Sequence, residues 1–82
     1  MIHIRYFGIL QTALNTREEQ LEWLNGDTDS LLAHLRARGE PWFSALAPEK
    51  VFKIAVNRQL IHANTPIADG AEIGFLPPVT GG

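Results

Sequence analysis

EEQLEWLNGDTDSLLAHLRARGEP, residues 18–41, changes its hydrophobic period halfway along, and that change decides the fold. In the first part Leu21 and Trp23 alternate with Gln20 and Glu22, the two-residue period of a strand with one buried face. Asn25-Gly26-Asp27 supplies a turn. From Thr28 onward Leu31, Leu32 and Leu35 share an arc about 100° wide, while Asp29, Ser30, His34, Arg36 and Arg38 fill the rest, as expected for a helix lying on a sheet. Thr28 is placed to accept the first free amides of that helix. Gly39 is a natural stop, and Glu40-Pro41 prevents the helix from resuming.

Outward from this unit the same reading finds further strands. IHIRYF, residues 2–7, sets Ile2, Ile4 and Tyr6 against His3, Arg5 and Phe7, a first strand expected to pair antiparallel with the one at 18–24. Between them GILQTALNT offers Ile9, Leu10, Ala13 and Leu14 at helical spacing before Asn15 and Thr16 break it. After the main helix, Trp42, Phe43 and Leu46 suggest a short apolar turn plugging one end of the core. VFKIAVN puts Phe52, Ile54 and Val56 on one face of a third strand. Asn57-Arg58-Gln59 then turns the chain into a short fourth strand at Leu60-Ile61. Thr65-Pro66 and Asp69-Gly70 bracket a loop, and EIGFL, residues 72–76, is the last strand. Five strands in a mixed sheet, one main helix across it and short helical turns make an α+β fold of the ubiquitin-like β-grasp kind.

Composition limits what such a domain does by itself. A chain of 82 residues buries only about 60 to 65% of its unfolded surface, too little for a deep private active site. Its seven Lys and Arg stand at positions 5, 17, 36, 38, 50, 53 and 58 without forming a stripe, and the net charge is -2; a nucleic-acid partner is not expected. No run approaches the ~18 apolar residues of a membrane span, and MIHIRYFGIL lacks the pattern of a secretory leader, so a cytoplasmic protein without membrane attachment is expected. The absence of cysteine removes disulfides, thiolate nucleophiles and cysteine-based metal sites. His3, His34 and His62 fall on separate elements with no carboxylate at ligand spacing, so no metal site is expected. No Ser-His-Asp set, Walker loop or dinucleotide fingerprint occurs. Catalytic machinery must therefore come from partners.

The chain ends LPPVTGG, residues 76–82. Two terminal glycines arise by chance in about one chain in 200. The β-grasp domain is expected to span 1–76, with 77–82 an extended, flexible tail. Pro77 and Pro78 donate no ladder hydrogen bonds and hold φ near about -65°, which directs the chain away from the sheet. Six residues reach about 20 Å, enough to enter a partner's active site. Gly81 lacks the Cβ that would bar a narrow channel. Gly82 then presents its α-carboxylate, an anion at neutral pH with an ordinary pKa of about 3.5 and a poor electrophile. Reaction there requires activation, most simply as an acyl-adenylate formed with ATP on a partner enzyme, after which a sulfur or amine nucleophile displaces AMP. Leu76 alternates away from Ile73 and Phe75, so one of those faces lies outside the core beside the tail. Leu76, with its neighbours Phe75 and Pro77, is the expected partner contact.

AVNRQLI at 55–61, DGAEIGFLPPVTGG at 69–82 and the opening IHIRYFG resemble the small subunit of molybdopterin synthase, the MoaD family, over essentially the whole chain, most specifically in PPVTGG. Many members read F-A-x-L-R-E where this chain has Phe7-Gly8-Ile9-Leu10-Gln11-Thr12, and Gln11 removes a positive charge from that edge. The resemblance implies that a ubiquitin-activating-like adenylyltransferase adenylates Gly82. A sulfurtransferase or cysteine desulfurase then provides the sulfur of a C-terminal thiocarboxylate. Val79, Thr80 and Gly81 thread into the large subunit, in a heterotetramer of two small and two large subunits, where the dithiolene sulfurs of molybdopterin are supplied to cyclic pyranopterin monophosphate. It implies no permanently bound cofactor, ATP serving only the activating partner. A sulfur carrier for thiamine or a related pathway shares the fold and the Gly-Gly end; a non-catalytic ubiquitin-like interaction module, binding through its sheet face, is the reading from a different class.

Overall fold

In the computed structural model, which describes residues 1–23 and 25–78, eight elements follow in order: β1 (Ile2–Tyr6), α1 (Ile9–Leu14), β2 (Glu18–Leu21), α2 (Thr28–Arg36), α3 (Trp42–Ala45), β3 (Lys53–Val56), β4 (Gln59–Ile61) and β5 (Glu72–Leu76). The strands form one mixed sheet in the order β2-β1-β5-β3-β4. β1 and β2 are antiparallel, as their alternation suggested. The first and last strands run parallel at the centre, with Ile4 opposite Ile73 and Tyr6 opposite Phe75. A parallel pair cannot be closed by a tight turn, and the intervening chain carries α2 as the cover for one sheet face.

That face and α2 make the core. Ile2, Ile4, Tyr6, Ile73 and Phe75 from the central strands meet Leu31 and Leu35 of α2, all of them buried, and Leu32 packs half-buried at the margin. Tyr6 stacks on Phe75 at 5.6 Å between ring centroids and meets the edge of Trp42 at 5.4 Å. Leu46 is wholly buried at the end of the core, as expected, but Phe43 is 58% exposed. A single turn of helix leaves its i and i+1 residues on different sides, so only part of the Trp42-Phe43 pair can face inward.

The start of α2 differs from expectation in an instructive way. Asp27, not Thr28, caps the helix: its carboxylate accepts from the Ser30 amide at 2.9 Å and the Ser30 hydroxyl at 2.7 Å. These hydrogen bonds hold the Asp27 carboxyl below the usual range. Thr28 is buried instead; its hydroxyl donates to Asn64 at 3.1 Å and accepts from the Thr65 amide at 3.0 Å, fastening the helix start to the loop before β5. β2 ends at Leu21, short of the expected 24, although Trp23 remains buried on the same side. Between β3 and β4, Asn57 and Arg58 both have positive φ, 51° and 70°, the two-residue turn whose twist matches the flanking strands.

One polar network crosses the core boundary. The Tyr6 hydroxyl donates to Glu19 at 2.8 Å, and Arg38 grips the same carboxylate with two bonds of 2.7 and 3.0 Å while lying 4.6 Å over the Trp42 ring. Burial by itself would raise the Glu19 carboxyl; the hydrogen bonds from Arg38 and Tyr6 and the guanidinium charge outweigh it, and its pKa falls below the usual 4.5. A carboxylate lowered by folding contributes stability above its unfolded pKa and loses it as pH falls through the folded value. Urea midpoints of the native protein should therefore drop below about pH 4.5, and Glu19→Gln should flatten that limb. Tyr6→Phe should cost about 1 to 2 kcal/mol at pH 7, the low end for a bond to a charged acceptor, because Glu19 keeps 19% of its side chain exposed.

Candidate functional site

The outer face of the sheet is where the strand alternation puts its remaining side chains. Leu76 points away from the core and is half-buried, as its parity with Glu72 and Gly74 requires. Phe75 does not share that face: it is fully buried, and the expectation that it touches a partner is corrected by the register that stacks it on Tyr6. Pro77 is half-buried immediately beyond the strand, and Pro78 is exposed. Gly82, Gly81, Thr80 and Val79 lie outside the described residues.

Two residues not singled out in the sequence complete the face. Phe7 is 42% exposed and Leu60 is 53% exposed. With Leu76 they wall a groove of about 400 Å³. Its floor is low because the facing residues of β3 and β5 are Ala55 and Gly74, paired across the ladder. The edge of the Phe7 ring lies 3.4 Å from where a Cβ on Gly74 would stand, in contact with this low floor. The signal for Phe7 was an aromatic on the otherwise polar side of its strand. Leu60 carried none, because only the strand order brings β4 to that side of β5.

Charges ring the apolar trough but are mutually engaged. Arg5 and His3 approach Glu18 at 3.7 and 3.5 Å, and Arg58 approaches Glu72 at 3.5 Å. Among the described residues no three His, Asp or Glu side chains gather as a metal site; His3 lies in β1, His34 in α2 and His62 just after β4. No helix among them is long and apolar enough to cross a membrane. The arrangement suits docking: an apolar trough, a paired polar rim, and the chain leaving the sheet at the trough's edge.

Similarity to known proteins points the same way. The model of the ThiS family matches residues 4–82. The molybdopterin synthase sulfur carrier subunit of Escherichia coli K12 is 32% identical over 82 residues, covering all of both chains. In solved structures, the complex of subunits 1 and 2 of molybdopterin-converting factor from Helicobacter pylori contains a chain 31% identical, with a TM-score of 0.66 and coverage of 99% of this chain and 97% of that one. A molybdopterin converting factor subunit 1 described as putative, from Pyrococcus furiosus, shares the fold at a TM-score of 0.76, with 22% identity over 95% of this chain and 97% of that one. The chain thus belongs to the ThiS family, as a relative of the molybdopterin synthase sulfur carrier subunits.

Proposed function

We propose that this protein is a sulfur carrier and the small subunit of a molybdopterin synthase, with the Gly82 carboxylate as its reactive group. The observation that carries the reading is the apolar trough of Phe7, Leu60 and Leu76 at the very place where Pro77 and Pro78 leave the sheet. A large subunit seated there would hold the root of residues 79–82 against its own active site. The naming of the Helicobacter pylori structure as a complex of two subunits supports such a pairing.

The chemistry asked of Gly82 is acyl transfer in two steps. Its carboxylate oxygen attacks the α-phosphorus of ATP on an activating enzyme, releasing pyrophosphate and forming an acyl-adenylate. A sulfur nucleophile at the hydrosulfide level then displaces AMP, forming a carbon–sulfur bond as the carbon–oxygen bond to phosphate breaks. The resulting thiocarboxylate is nucleophilic through sulfur and delivers it to the pyranopterin precursor bound by the large subunit. In this reading the folded body presents the end and recognises the partners. Our reading places this activity in the cytoplasm, where ATP is to hand and a thiol reductant supplies the two electrons that bring desulfurase persulfide sulfur to the hydrosulfide level.

The test is direct. Incubation with ATP, an activating enzyme and a sulfur source should raise the mass of the C-terminal peptide by the difference between sulfur and oxygen. No such change in a competent system would reject sulfur carriage, for molybdopterin and for thiamine alike. Reconstitution with the large synthase subunit and pyranopterin precursor separates those two, since a thiamine carrier should yield no molybdopterin. Binding that survives deletion of Gly81 and Gly82, without any sulfur transfer by the intact protein, would mark an interaction module instead.

A further inference from the structure

A second apolar surface lies at the end of β5, on the α1 side of Pro77. In α1, Leu10 and Leu14 are buried, which leaves Ile9 and Ala13, four residues apart and therefore on one face of the helix, exposed. Opposite them runs the segment before β3, where exposed Val51 precedes half-buried Phe52. Ile9, Val51 and Pro77 border a crevice of about 180 Å³, with Leu10 and Phe52 also in its walls. Ile9 and Val51 are each 70% exposed, more than any other large hydrophobic among the described residues, Leu60 of the trough included. One exposed aliphatic residue is ordinary; the two most exposed, set around one crevice, mark a contact surface. Small-molecule pockets run to about 300 to 1,000 Å³, so this one suits a single side chain rather than a cofactor. Among the described residues, the one charged side chain in its wall is Lys50, which is exposed and has no ion-pair partner. The surface runs on into the trough. Phe7 and Leu76, two walls of the trough, lead directly into Gly8-Ile9 and Pro77. A Cβ on Gly8 would stand 2.9 Å from Cγ of Pro77, so these two segments touch with no polar side chain between them.

We propose that the crevice is a second anchor point for the large subunit: it receives one apolar side chain of that partner, flanked by a carboxylate that pairs with Lys50. The inference rests on the function proposed above. Two observations name this occupant. Because the crevice continues the trough, a subunit covering Phe7, Leu60 and Leu76 has only the contact of Gly8 with Pro77 to cross before it reaches Ile9. The unpaired ammonium of Lys50 at an apolar lip calls for an anion beside the inserted side chain, since a cation covered without a partner is costly. An apolar anchor with a charged pair at its rim is the ordinary anatomy of a protein contact. Folding does not account for the two aliphatic residues, because Ile9 and Val51 stand outside the core cluster.

The test measures affinity for the large subunit by titration calorimetry, with the full chain and four variants. Ile9→Ser and Val51→Ser should each weaken binding about 10-fold, with melting temperatures within about 3 °C of native. Lys50→Met keeps the stem and removes the charge. It should weaken binding about 3- to 5-fold at about 0.01 M salt and match the native protein at about 1 M, where charges are screened within about 3 Å. Leu60→Glu reports on the trough alone. If Leu60→Glu loses affinity while Ile9→Ser and Val51→Ser keep it, the crevice proposal falls and the proposed function stands. Native affinity of Lys50→Met at low salt removes the flanking carboxylate and overturns the stated occupant. Should the native protein fail to bind the large subunit at all, the proposed function fails, and the stated occupant with it. Two other occupants are decided on the free protein. A dimer in sedimentation equilibrium that Val51→Ser dissociates would assign the crevice to a second copy. Methyl resonances of Ile9 and Val51 that shift when residues 79–82 are removed would assign it to the chain's own end. Either result overturns the proposal.

Discussion

One alanine appended after Gly82 should abolish thiocarboxylate formation and molybdopterin synthesis while leaving the unfolding free energy within about 0.5 kcal/mol of native. The addition converts the reacting carboxylate into a peptide carbonyl, which has no anionic oxygen to attack ATP. It also moves the free carboxylate one residue further and gives its residue a Cβ, so that a channel shaped for glycine meets a methyl group. The core, the sheet ladder and the Tyr6–Glu19–Arg38 network all lie within residues 1–78, remote in sequence from the alteration. Intact-mass measurement after activation, paired with a melting curve, separates the two effects. Sulfur loading of the extended protein at the native rate would mean that the reactive group need not be the carboxylate of Gly82. A large fall in melting temperature would mean that the tail is part of the fold.

The body of the fold was legible in the sequence because its elements have unlike periods. Alternation in IHIRYF, the Leu31-Leu32-Leu35 arc and the turn expected at Asn57-Arg58-Gln59 each specify local structure through short-range sterics, and the structure has a strand, a helix and a hairpin there, with Gln59 already in β4. The helix cap was misassigned by one residue because Asp27 and Thr28 have equally competent side-chain oxygens; the choice fell to Asn64 and Thr65, which claim the Thr28 hydroxyl from far along the chain. Phe43 was misplaced because four helical residues carry too little periodicity to orient a pair of aromatics.

The candidate site was legible only where it is local. Leu76 could be placed outside the core by parity alone. The trough could not, because it is a product of strand order: Phe7, just past the end of β1, and Leu60 from β4 are separated by β5 and β3, and they line one groove only because Gly74 and Ala55 leave its floor low. A lone apolar residue on a polar strand face is ordinary. It acquires meaning when a second, distant in sequence, is brought to the same side.

Opposite outcomes are expected from two hydrophobic substitutions, Phe75→Ala in β5 and Leu60→Glu in β4. Phe75 is wholly enclosed between Tyr6 and Phe52, at 5.6 and 6.1 Å between ring centroids. Its truncation should cost about 3 to 5 kcal/mol. A domain of this size has only about 4 to 12 kcal/mol in total, so that loss should show as a collapse of the urea midpoint. Leu60 is 53% exposed and its side chain serves no core contact. Leu60→Glu should leave the midpoint almost unmoved, within about 0.5 kcal/mol, yet weaken binding to the large subunit at least about 30-fold, the effect of about 2 kcal/mol expected for a central apolar anchor replaced by a buried charge. Equilibrium unfolding and titration calorimetry on the two variants give a crossed pattern if the sheet has one face for folding and one for docking. A stable Phe75→Ala would contradict the β1–β5 register. Native affinity in a folded Leu60→Glu would move the docking surface off this face, because an unpaired carboxylate cannot sit in a desolvated apolar contact without cost.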